Sequence, residues 1–413
     1  MVLYGLEATD WGEKIMNNLF DPIIAKEASG AARLAEQVNA EKSPNISNRI
    51  VFVDIDHETY KRWGTPLLTP RKEIARIIET AYRKGAAIIA LDVLLEKPDC
   101  CNPDGDLRLR SVLKEIADNK GRTKVLFGSR FGYERNLQKS LFDDLIDNTP
   151  NFFRASVNVS APPTDRVIRY WIPFEKINST KGPATLWNIA FLAAMLSEEK
   201  SVELSKLSGL IESRQFEKPF HFRLANNREI ELTPDKEDVY RYRIRYLLIP
   251  QNTMPDHPGG NLFNAISRID EVESIFFKDK IVIIGNSSPD AYDMHPTPIG
   301  NMAGMYLIGN VLNTILLGNQ PSEAHIILRI LIEMAAIILA AYLFLKFTSF
   351  SAVVIGSIPL FFLSITISYY YFLSSGVFLN FSFALAAMGF HKIVMNIEQI
   401  IKNRSLWRKG RTV

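Results

Sequence analysis

Residues 50–56 read IVFVDID, a short run that is β-branched and almost entirely apolar until its acidic end. Such a run is typical of a strand covered on both faces of a sheet. Thr69-Pro70 follows, an N-cap with proline at the first helical position, and Gly85 ends the helix that begins there. Residues 87–93 (AIIALDV) indicate a second buried strand. This βαβ unit predicts parallel strands with a right-handed crossover.

The chain continues with the same mixture of apolar strands and helices. A helix capped by Asp104 is predicted at about 105–118, and a helix closed by Gly318 at 303–317. Further predictions are strands at 124–128, 167–174, 243–249 and 280–285, an apolar helix at 185–197, and a hairpin at 220–232 around Asn226-Asn227. These elements indicate an α/β fold, a three-layer domain with a largely parallel central sheet over residues 48–320.

The C-terminal region differs in composition, because no Asp, Glu, Lys or Arg occurs between Lys346 and Lys392. At about 1.5 Å per helical residue, that stretch extends roughly 66 Å, enough to cross a hydrocarbon core of about 30 Å twice. With the apolar run before it, the sequence predicts an α-helical bundle of three transmembrane spans over 326–397. Their bounds are 326–347, 350–373 and 376–397. The alternative is a buried helical hairpin in a large soluble core, although soluble helices seldom lack charge over such a length.

Charge predicts which side of the membrane each end occupies. The last residues, 391–413, carry six basic side chains and the single acid Glu398. The positive-inside rule therefore puts the basic tail, residues 398–413, in the cytoplasm. Three crossings leave residues 1–325 on the outer side.

An exported domain needs a signal, yet residues 1–20 (MVLYGLEATDWGEKIMNNLF) contain no apolar core of a signal peptide. We therefore expect that a transmembrane helix has been cut away or lies upstream of Met1. Residues 1–47 are then an N-terminal helical stem, with an exposed helix over 11–37.

Composition argues against several classes of protein. The 413 residues include 48 Lys+Arg and 45 Asp+Glu, and this near balance argues against a nucleic-acid-binding protein. The only cysteines, Cys100 and Cys101, are too few for a disulfide-rich scaffold or a four-cysteine zinc module. No GxSxG, HExxH or glycine-rich phosphate loop occurs, so we predict no catalytic residue, no metal ligands and no cofactor.

Polar side chains follow the predicted parallel strands, at the edge where open sheets bind ligands. The candidate ligand-binding residues are Asp54 and Asp56 after the first strand, Asp92 and Glu96 after the second, Asn286, Asp290 and Asp293 after strand 280–285, and Arg71 as their counter-charge. They form either a pocket for a ligand or a divalent cation, or an ion-paired network that pins loops to the sheet.

Two ionisable residues lie near the outer end of the first predicted span. Arg329 and Glu333 are four residues apart and so share one helix face. They are candidates for coupling a signal across the membrane, or for anchoring the helix at its surface.

The ordered set of these features resembles the type 2 CHASE family, extracytoplasmic sensory domains associated with cyclases and histidine kinases. The resemblance lies in strand 50–56, Gly64, Pro66, Thr69-Pro70-Arg71, Gly85-Ala86, Leu91-Asp92-Val93, strand 280–285, Asp293, Thr297-Pro298, Gly304, and a helix with Asn310 and Asn313. It covers about residues 48–397, and it brings Thr297 into the set of candidate ligand-binding residues. The sequence departs from the family pattern at residues 285–288 (GNSS) and 67–68 (LL), where Gly-Ala-Thr-Ala and a tryptophan are common.

The resemblance implies a multi-pass protein of the bacterial inner membrane whose main domain is periplasmic. Such receptors usually carry a cytoplasmic kinase or cyclase, and this chain stops shortly after its last predicted span. We therefore expect a non-enzymatic sensor that passes an envelope signal through three helices to a separate cytoplasmic or membrane partner. Membrane lipid is a further expected partner, as is a second copy or a larger membrane complex; nucleic acid is not. The alternative is a structural scaffold subunit of an envelope complex, with the α/β domain as its docking surface.

Overall fold

The computed structural model describes residues 21–29, 47–99, 102–119, 123–131, 135–159, 165–179, 182–224, 229–233, 241–248, 262–264, 269–270, 272–291, 293–318, 322–323, 326–346, 363, 366–368, 370–372 and 377–378. The chain divides into two compact units. One comprises residues 24–320, and the other residues 1–23 and 321–413.

The helices and strands alternate along the chain as follows. The strands are β1 (Ile50–Ile55), β2 (Ile88–Leu91), β3 (Lys124–Ser129), β4 (Phe152–Ser156), β5 (Tyr170–Trp171), β6 (Phe174–Ser179), β7 (Gly182–Trp187), β8 (Phe220–Arg223), β9 (Glu229–Leu232), β10 (Tyr242–Arg243), β11 (Leu262–Asn264), β12 (Ile281–Asn286), β13 (Met294–Thr297), β14 (Gly300–Ala303), β15 (Ser322–Glu323) and β16 (Val377–Phe378). The α-helices are α1 (21–29), α2 (His57–Arg62), α3 (Arg71–Arg83), α4 (Pro103–Asp118), α5 (Asp143–Asn148), α6 (Ile189–Ser197), α7 (Ser201–Glu212), α8 (Gly304–Leu317) and α9 (Ile326–Lys346). Two short 3-10 helices lie at Ser274–Phe276 and Pro289–Ala291.

The central sheet has six strands in the order β11-β1-β12-β2-β3-β4, and every neighbouring pair is parallel. All residues of β1 and β2 are buried, as their apolar sequences predict. The prediction of an α/β domain with a largely parallel sheet is therefore confirmed. Because β12 lies between β1 and β2, the three strands that precede the predicted polar residues end side by side.

One face of the sheet packs against α3 and α4. Val53 and Leu91 of the strands share a core with Ile74 and Ile78 of α3 and with Leu113 of α4, and all five side chains are completely buried. Full burial of such a side chain contributes about 1.5–3 kcal/mol. The apolar residues of α3 recur at helical spacing, and this spacing is the reason that a helix is predicted here from the sequence.

The other face packs against α6 and α8. Phe52 of β1 contacts Tyr306 of α8, with ring centroids 5.2 Å apart. A Cβ atom at Gly309 would lie only 2.3 Å from the Phe52 ring, so only glycine permits this close approach of helix to strand. Helices on both faces of the sheet give the three layers that the sequence predicts.

The predicted helix at 185–197 is wrong in its first turn. Residues 185–187 belong to β7, which pairs with β6 in an antiparallel hairpin. The helix α6 begins after Asn188, whose Oδ1 accepts hydrogen bonds from the backbone N–H groups of Ala190 (3.0 Å) and Phe191 (3.4 Å). Pairing with β6 therefore overrides the helical pattern of these residues, and the cap fixes where the helix starts.

Two predicted strands are shorter than expected. A strand is predicted over residues 167–174, but before β6 only Tyr170–Trp171 forms one. This short strand, β5, pairs with Tyr242–Arg243. Residues 244–248 are irregular, and side chains of α8 accept hydrogen bonds from three of their backbone N–H groups: Thr314 from Arg245, and Asn310 from Leu247 and Leu248. These side chains replace much of the neighbouring strand that the apolar pattern implies.

Two further predictions concern turns and caps. The hairpin at 220–232 is confirmed by the antiparallel pair β8 and β9, whereas its predicted turn residues, Asn226 and Asn227, lie outside the described residues. The helix α4 starts earlier than predicted, at Pro103 with Asn102 as its cap. Asp104 therefore lies within the first turn, where its charge favours the helix dipole.

The described part of the predicted stem is the helix α1. Ile24, Glu27 and Ala28 are at most 5% exposed, so this stretch is not the exposed helix that the sequence predicts. Its apolar residues and a buried ion pair of Glu27 account for the difference.

In the second compact unit, α9 is 21 residues long and β15 pairs with β16 in parallel. Within the described ranges, no helix meets the combined requirements of length and apolar content for crossing a membrane. The predicted spans at 350–373 and 376–397 lie mostly outside the described residues, and the basic tail 398–413 lies entirely outside them.

Candidate ligand site at the carboxyl edge of the sheet

A cavity of about 370 Å³ lies where β2, β3 and β4 end. This volume falls within the range of small-molecule sites. The lining combines three acids and two basic or imidazole groups with an amide and aliphatic side chains: Asp92, Glu175, Asp293, Arg130, His295, Asn158, Val157, Val159, Gly304 and Ile308. Its residues come from the strand ends, from β6 and β13, and from the first turns of α8.

Asp92 follows β2 directly and has an unsatisfied oxygen. Its Oδ2 atom is buried and has no hydrogen-bond partner among the described residues. Burial, and then the charge of Asp293, raise the pKa of Asp92 to about 7, while Arg130 and His295 act in the opposite direction. Near neutral pH this carboxyl group is therefore divided between its protonated and ionised forms, and a charged ligand would shift that balance.

Asp293 forms the second acidic wall of the cavity. Its Oδ1 lies 3.1 Å from Nε2 of His295, an ion pair when the imidazole is protonated. A Cβ at position 304 would lie 2.3 Å from the other carboxylate oxygen of Asp293. Gly304 is thus required for Asp293 to lie against the start of α8.

Glu175, on β6, is an acid that the protein itself partly satisfies. The Ser156 hydroxyl donates to its carboxylate, and the Asn158 amide lies 3.3 Å from Oε2. Burial raises the pKa of Glu175, and these two donors and Arg135 oppose the rise. Glu175 therefore has partners that Oδ2 of Asp92 lacks.

Arg130 supplies the positive charge of the cavity. It follows β3 directly and is solvent-exposed, so that water as well as a ligand can reach its guanidinium group. Its positive charge lowers the pKa of Asp92. Arg130, His295 and Glu175 line the cavity but are not among the residues predicted from the sequence. The position of Arg130 at a strand end is a signal that could have found it, whereas only the β6–β7 hairpin brings Glu175 to the cavity.

A second polar cluster lies at the end of β1. Asp54 is buried, and its carboxylate accepts hydrogen bonds from the Ser287 backbone (3.2 Å), the Ser287 hydroxyl (2.7 Å) and the Tyr306 hydroxyl (3.1 Å). Burial raises the pKa of Asp54 to about 6, the three donors oppose this, and Asp56 adds to it. Asp54 is therefore a satisfied structural group that ties β1 to β12 and α8.

Three other predicted residues near this cluster organise the backbone locally. Asp56 caps α2 by accepting the Thr59 N–H at 2.8 Å, and Asn286 accepts the Ser288 N–H at 2.8 Å. Asp290 lies 3.4 Å from Nδ1 of His57 in a half-exposed pair. The strand ends converge as predicted, but the polar residues divide between this cluster and the cavity instead of sharing one crevice.

Arg71 is not the counter-charge of the strand-end carboxylates. It is 1% exposed and donates hydrogen bonds to the carbonyl groups of Leu94 (3.0 Å) and Lys97 (3.2 Å). Its nearest acid is Asp106, at 3.8 Å, and Asp99 accepts its backbone N–H. Because Arg71 starts α3, its side chain reaches the loop between β2 and α4, and there it supports the loop.

The remaining candidates lie elsewhere. Glu96 faces the Gln138 amide, which donates to it when its nitrogen is turned toward the carboxylate. The Thr297 hydroxyl donates to the Gly300 carbonyl at 2.5 Å and so stabilises the β13–β14 turn. Arg329 and Glu333 belong to α9, and their side chains lie outside the described residues.

The acids of this region do not form a described metal site. Among the residues that the structure describes, no group of three or more His, Cys, Asp or Glu side chains could hold a metal ion. A family model for the CHASE2 domain matches residues 2–346. No curated protein and no solved structure matches the chain.

Proposed function

The chain belongs to the CHASE2 domain family, and from this premise we propose that its α/β domain senses a small polar ligand in the strand-end cavity. CHASE2 is an extracytoplasmic sensory domain, and this supports our proposal that the main domain lies on the periplasmic side. The proposed activity is binding, with no chemical step.

One observation carries this proposal, the unsatisfied Oδ2 of Asp92 in a residue that lines a cavity of ligand size. A buried carboxylate oxygen without a partner costs about 1–3 kcal/mol or more. In the Asp54 cluster, by contrast, both carboxylate oxygens accept hydrogen bonds. A ligand that donates a hydrogen bond to Asp92 would recover this free energy.

We further propose that the chain is attached to the inner membrane through the three apolar stretches predicted over 326–397. The absence of charge between Lys346 and Lys392 supports this. Large apolar side chains of α9 support it as well, since Ile327, Leu331 and Ile338 are 58–64% exposed. Lipid would cover such side chains at less cost than water.

The proposed signal passes from the cavity through these helices to a partner protein that meets the basic tail in the cytoplasm. Such coupling requires that the ligand bind two arrangements of the domain with different affinity. The helix α8 is the element best suited to respond, because Gly304 and Ile308 line the cavity while Tyr306 holds β1. The rival scaffold role predicts a filled crevice, and the cavity argues against it.

Ligand binding is tested with the full-length chain in detergent, by thermal unfolding against a panel of amino acids, dicarboxylates, sugars and polyamines. A true ligand at 100 times its Kd stabilises the domain by about 2.7 kcal/mol. We expect at least one compound to raise the Tm of the wild type and to lose this effect in Asp92→Asn. The control Asp290→Asn, outside the cavity, should keep it. Equal shifts in both variants would place the ligand elsewhere.

Topology is tested separately in cells, in a background with Cys100 and Cys101 replaced by serine. Leu67 is 94% exposed, so Leu67→Cys should react with a membrane-impermeant maleimide added outside. Thr412→Cys should react only after lysis. The opposite pattern would reverse the proposed orientation.

A further inference from the structure

Two side chains of opposite charge line the cavity. Asp92 offers a buried carboxylate oxygen that has no hydrogen-bond partner among the described residues, and Arg130 offers a guanidinium group at the solvent-exposed side of the cavity. They follow neighbouring strands, β2 and β3, which pair in parallel. The two charges are close enough for the charge of Arg130 to lower the pKa of Asp92.

We propose that the cavity binds a small zwitterion that carries a primary ammonium group and a carboxylate on a short aliphatic body, the chemistry of an α-amino acid. This inference rests on the proposed function of the cavity and specifies its ligand. The ammonium group donates to Oδ2 of Asp92, and the carboxylate is held by Arg130 in the bidentate geometry that a guanidinium favours.

The acidic side of the cavity favours an ammonium group over a metal ion. Asp92 and Asp293 repel each other, and one positive charge between them would remove that repulsion. A divalent cation needs six or more oxygen ligands or a compact set of protein ligands, and the described acids provide no such group. An ammonium group needs only a few acceptors and carries three N–H donors.

The basic side of the cavity favours a single carboxylate over a polyanion. Arg130 is accompanied by three acids, Asp92, Asp293 and Glu175, which would repel a phosphate or a dicarboxylate. The aliphatic side chains Val157 and Ile308 line the same cavity and suit a short apolar body. Positive, negative and apolar surfaces thus match the three parts of a small amino acid.

The test is isothermal titration of the full-length chain in lipid nanodiscs with L-alanine and L-valine as zwitterions. Ethylamine and propionate serve as probes with one charge each, and glucose as a neutral probe. The variants are Asp92→Asn and Arg130→Gln, with Asp290→Asn and Arg62→Gln as matched controls. Both control residues pair at solvent-exposed positions, with His57 and Glu58 respectively.

We expect a zwitterion to bind more tightly than either probe with one charge, and each cavity variant to weaken its binding roughly tenfold or more. Ethylamine binding should depend on Asp92 alone, and propionate binding on Arg130 alone. The controls should change affinity less than about twofold.

Two results would overturn the inference in different ways. If glucose or propionate binds in a manner that depends on the cavity while both zwitterions do not bind, the ligand class is wrong and the sensing cavity stands. If no probe binds, and the compound panel of the thermal assay also leaves the Tm unchanged, the ligand class and the proposed function fail together.

Discussion

The Tyr306 hydroxyl donates a hydrogen bond to Oδ2 of Asp54 at 3.1 Å, in the buried layer between α8 and β1. Burial raises the pKa of Tyr306, so the phenol stays protonated and remains a donor. The same carboxylate oxygen accepts the Ser287 hydroxyl at 2.7 Å. One acid thereby connects β1, the loop after β12 and the helix that borders the ligand cavity.

Tyr306→Phe should therefore lower the free energy of unfolding by about 1.5–3 kcal/mol, because it removes a hydrogen bond to a buried charged group without changing the ring packing against Phe52. Urea unfolding followed by circular dichroism measures this change. Tyr82→Phe is the matched control, since the Tyr82 hydroxyl contacts Asn119 at an exposed position. An equal loss of unfolding free energy in both variants would show that the hydrogen bond from Tyr306 to Asp54 stabilises the protein no more than an exposed one.

The pH dependence of stability gives a second prediction, for Asp92. A carboxyl whose pKa is raised on folding keeps its proton in the folded state at a pH where the unfolded chain has released it. Its contribution to stability is therefore complete below about pH 4 and is lost as the pH rises through the folded pKa of about 7. Asp92→Asn removes this loss, so it should be more stable than the wild type at pH 8, by about 1–3 kcal/mol, and nearly equal at pH 4.

Other titrating groups must be separated from Asp92 in that experiment. Asp54 also has a raised pKa, about 6, and contributes a decline of the same sign. The charges of Asp293, Arg130 and His295 shift the pKa of Asp92, and Glu175 lines the same cavity. When the unfolding free energy of Asp92→Asn is compared with that of the wild type at each pH, the contribution of Asp54, which is common to both proteins, cancels. A difference that does not vary from pH 4 to pH 8 would contradict the assignment.

The buried Arg71 gives a third prediction. Arg71→Ala should destabilise the domain by about 3–5 kcal/mol, because it removes the donor to the Leu94 and Lys97 carbonyls and leaves Asp106 without its nearest cation. Thermal unfolding with the control Arg110→Ala, whose ion pair with Asp144 is largely exposed, measures the effect. Arg71 does not line the cavity, so ligand affinity of the surviving folded protein should be unchanged. A folded Arg71→Ala with normal stability and lost binding would restore its predicted role as a ligand residue.

Strands β1, β2, β3 and β12 of the central sheet were predictable from their local sequence, whereas β4 and β11 were not predicted. Residues 50–55 and 281–286 form buried strands, and their largely apolar sequences indicate a strand without knowledge of the neighbouring strands. The helix α3 is indicated in the same local way by apolar residues at helical spacing. The segment 244–248 was not predictable, because three of its backbone N–H groups donate to side chains 62–69 residues later, those of Asn310 and Thr314. Secondary-structure propensity and hydrophobic periodicity are local properties of the sequence, and they give no information on such long-range contacts.

The candidate site was predictable only in part, for the same reason. Asp92 and Asp293 were predicted from their positions after parallel strands, because the topology of such a sheet brings the ends of its strands to one edge. The sequence could not tell that Asp54 would be satisfied by Ser287 and Tyr306 while Asp92 would not, since that depends on packing between distant segments. Glu175 enters the cavity from a hairpin that was itself predicted in part as a helix.

Asn310 is the source of a fourth prediction. Its Oδ1 accepts the N–H groups of Leu247 and Leu248, both at 2.8 Å, and its Nδ2 donates to the Leu248 carbonyl at 2.7 Å, all with no exposed side-chain surface. Asn310→Ala removes three hydrogen bonds from buried backbone groups and should cost about 3 kcal/mol or more of unfolding free energy. The control Asn148→Ala removes an exposed bond to the Asp144 carbonyl and should cost less than about 1 kcal/mol. Similar losses in urea unfolding would argue that water replaces Asn310 at little cost.

Glu27 and Arg245 give the last prediction, which concerns whether α1 is part of the folded body. Nε of Arg245 donates to Oε1 of Glu27 at 2.7 Å and its Nη2 donates to the same atom, with the side chains only 4–5% exposed. Burial raises the pKa of Glu27, and the hydrogen bond and charge of Arg245 oppose the rise. Breaking such a pair from one side leaves a buried charge, so Glu27→Gln and Arg245→Met should each cost about 3–5 kcal/mol.

The double variant should cost less than the sum of the two single variants, because neither buried charge is then left alone. A coupling free energy of at least about 1 kcal/mol in a double-mutant cycle, measured by urea unfolding, would establish the contact in solution. Additive losses, or single variants as stable as the wild type, would mean that α1 does not dock through this pair. Since a stem that only connects the domain to a membrane needs no such pair, strong coupling would show that Glu27 of α1 belongs to the folded body of the domain.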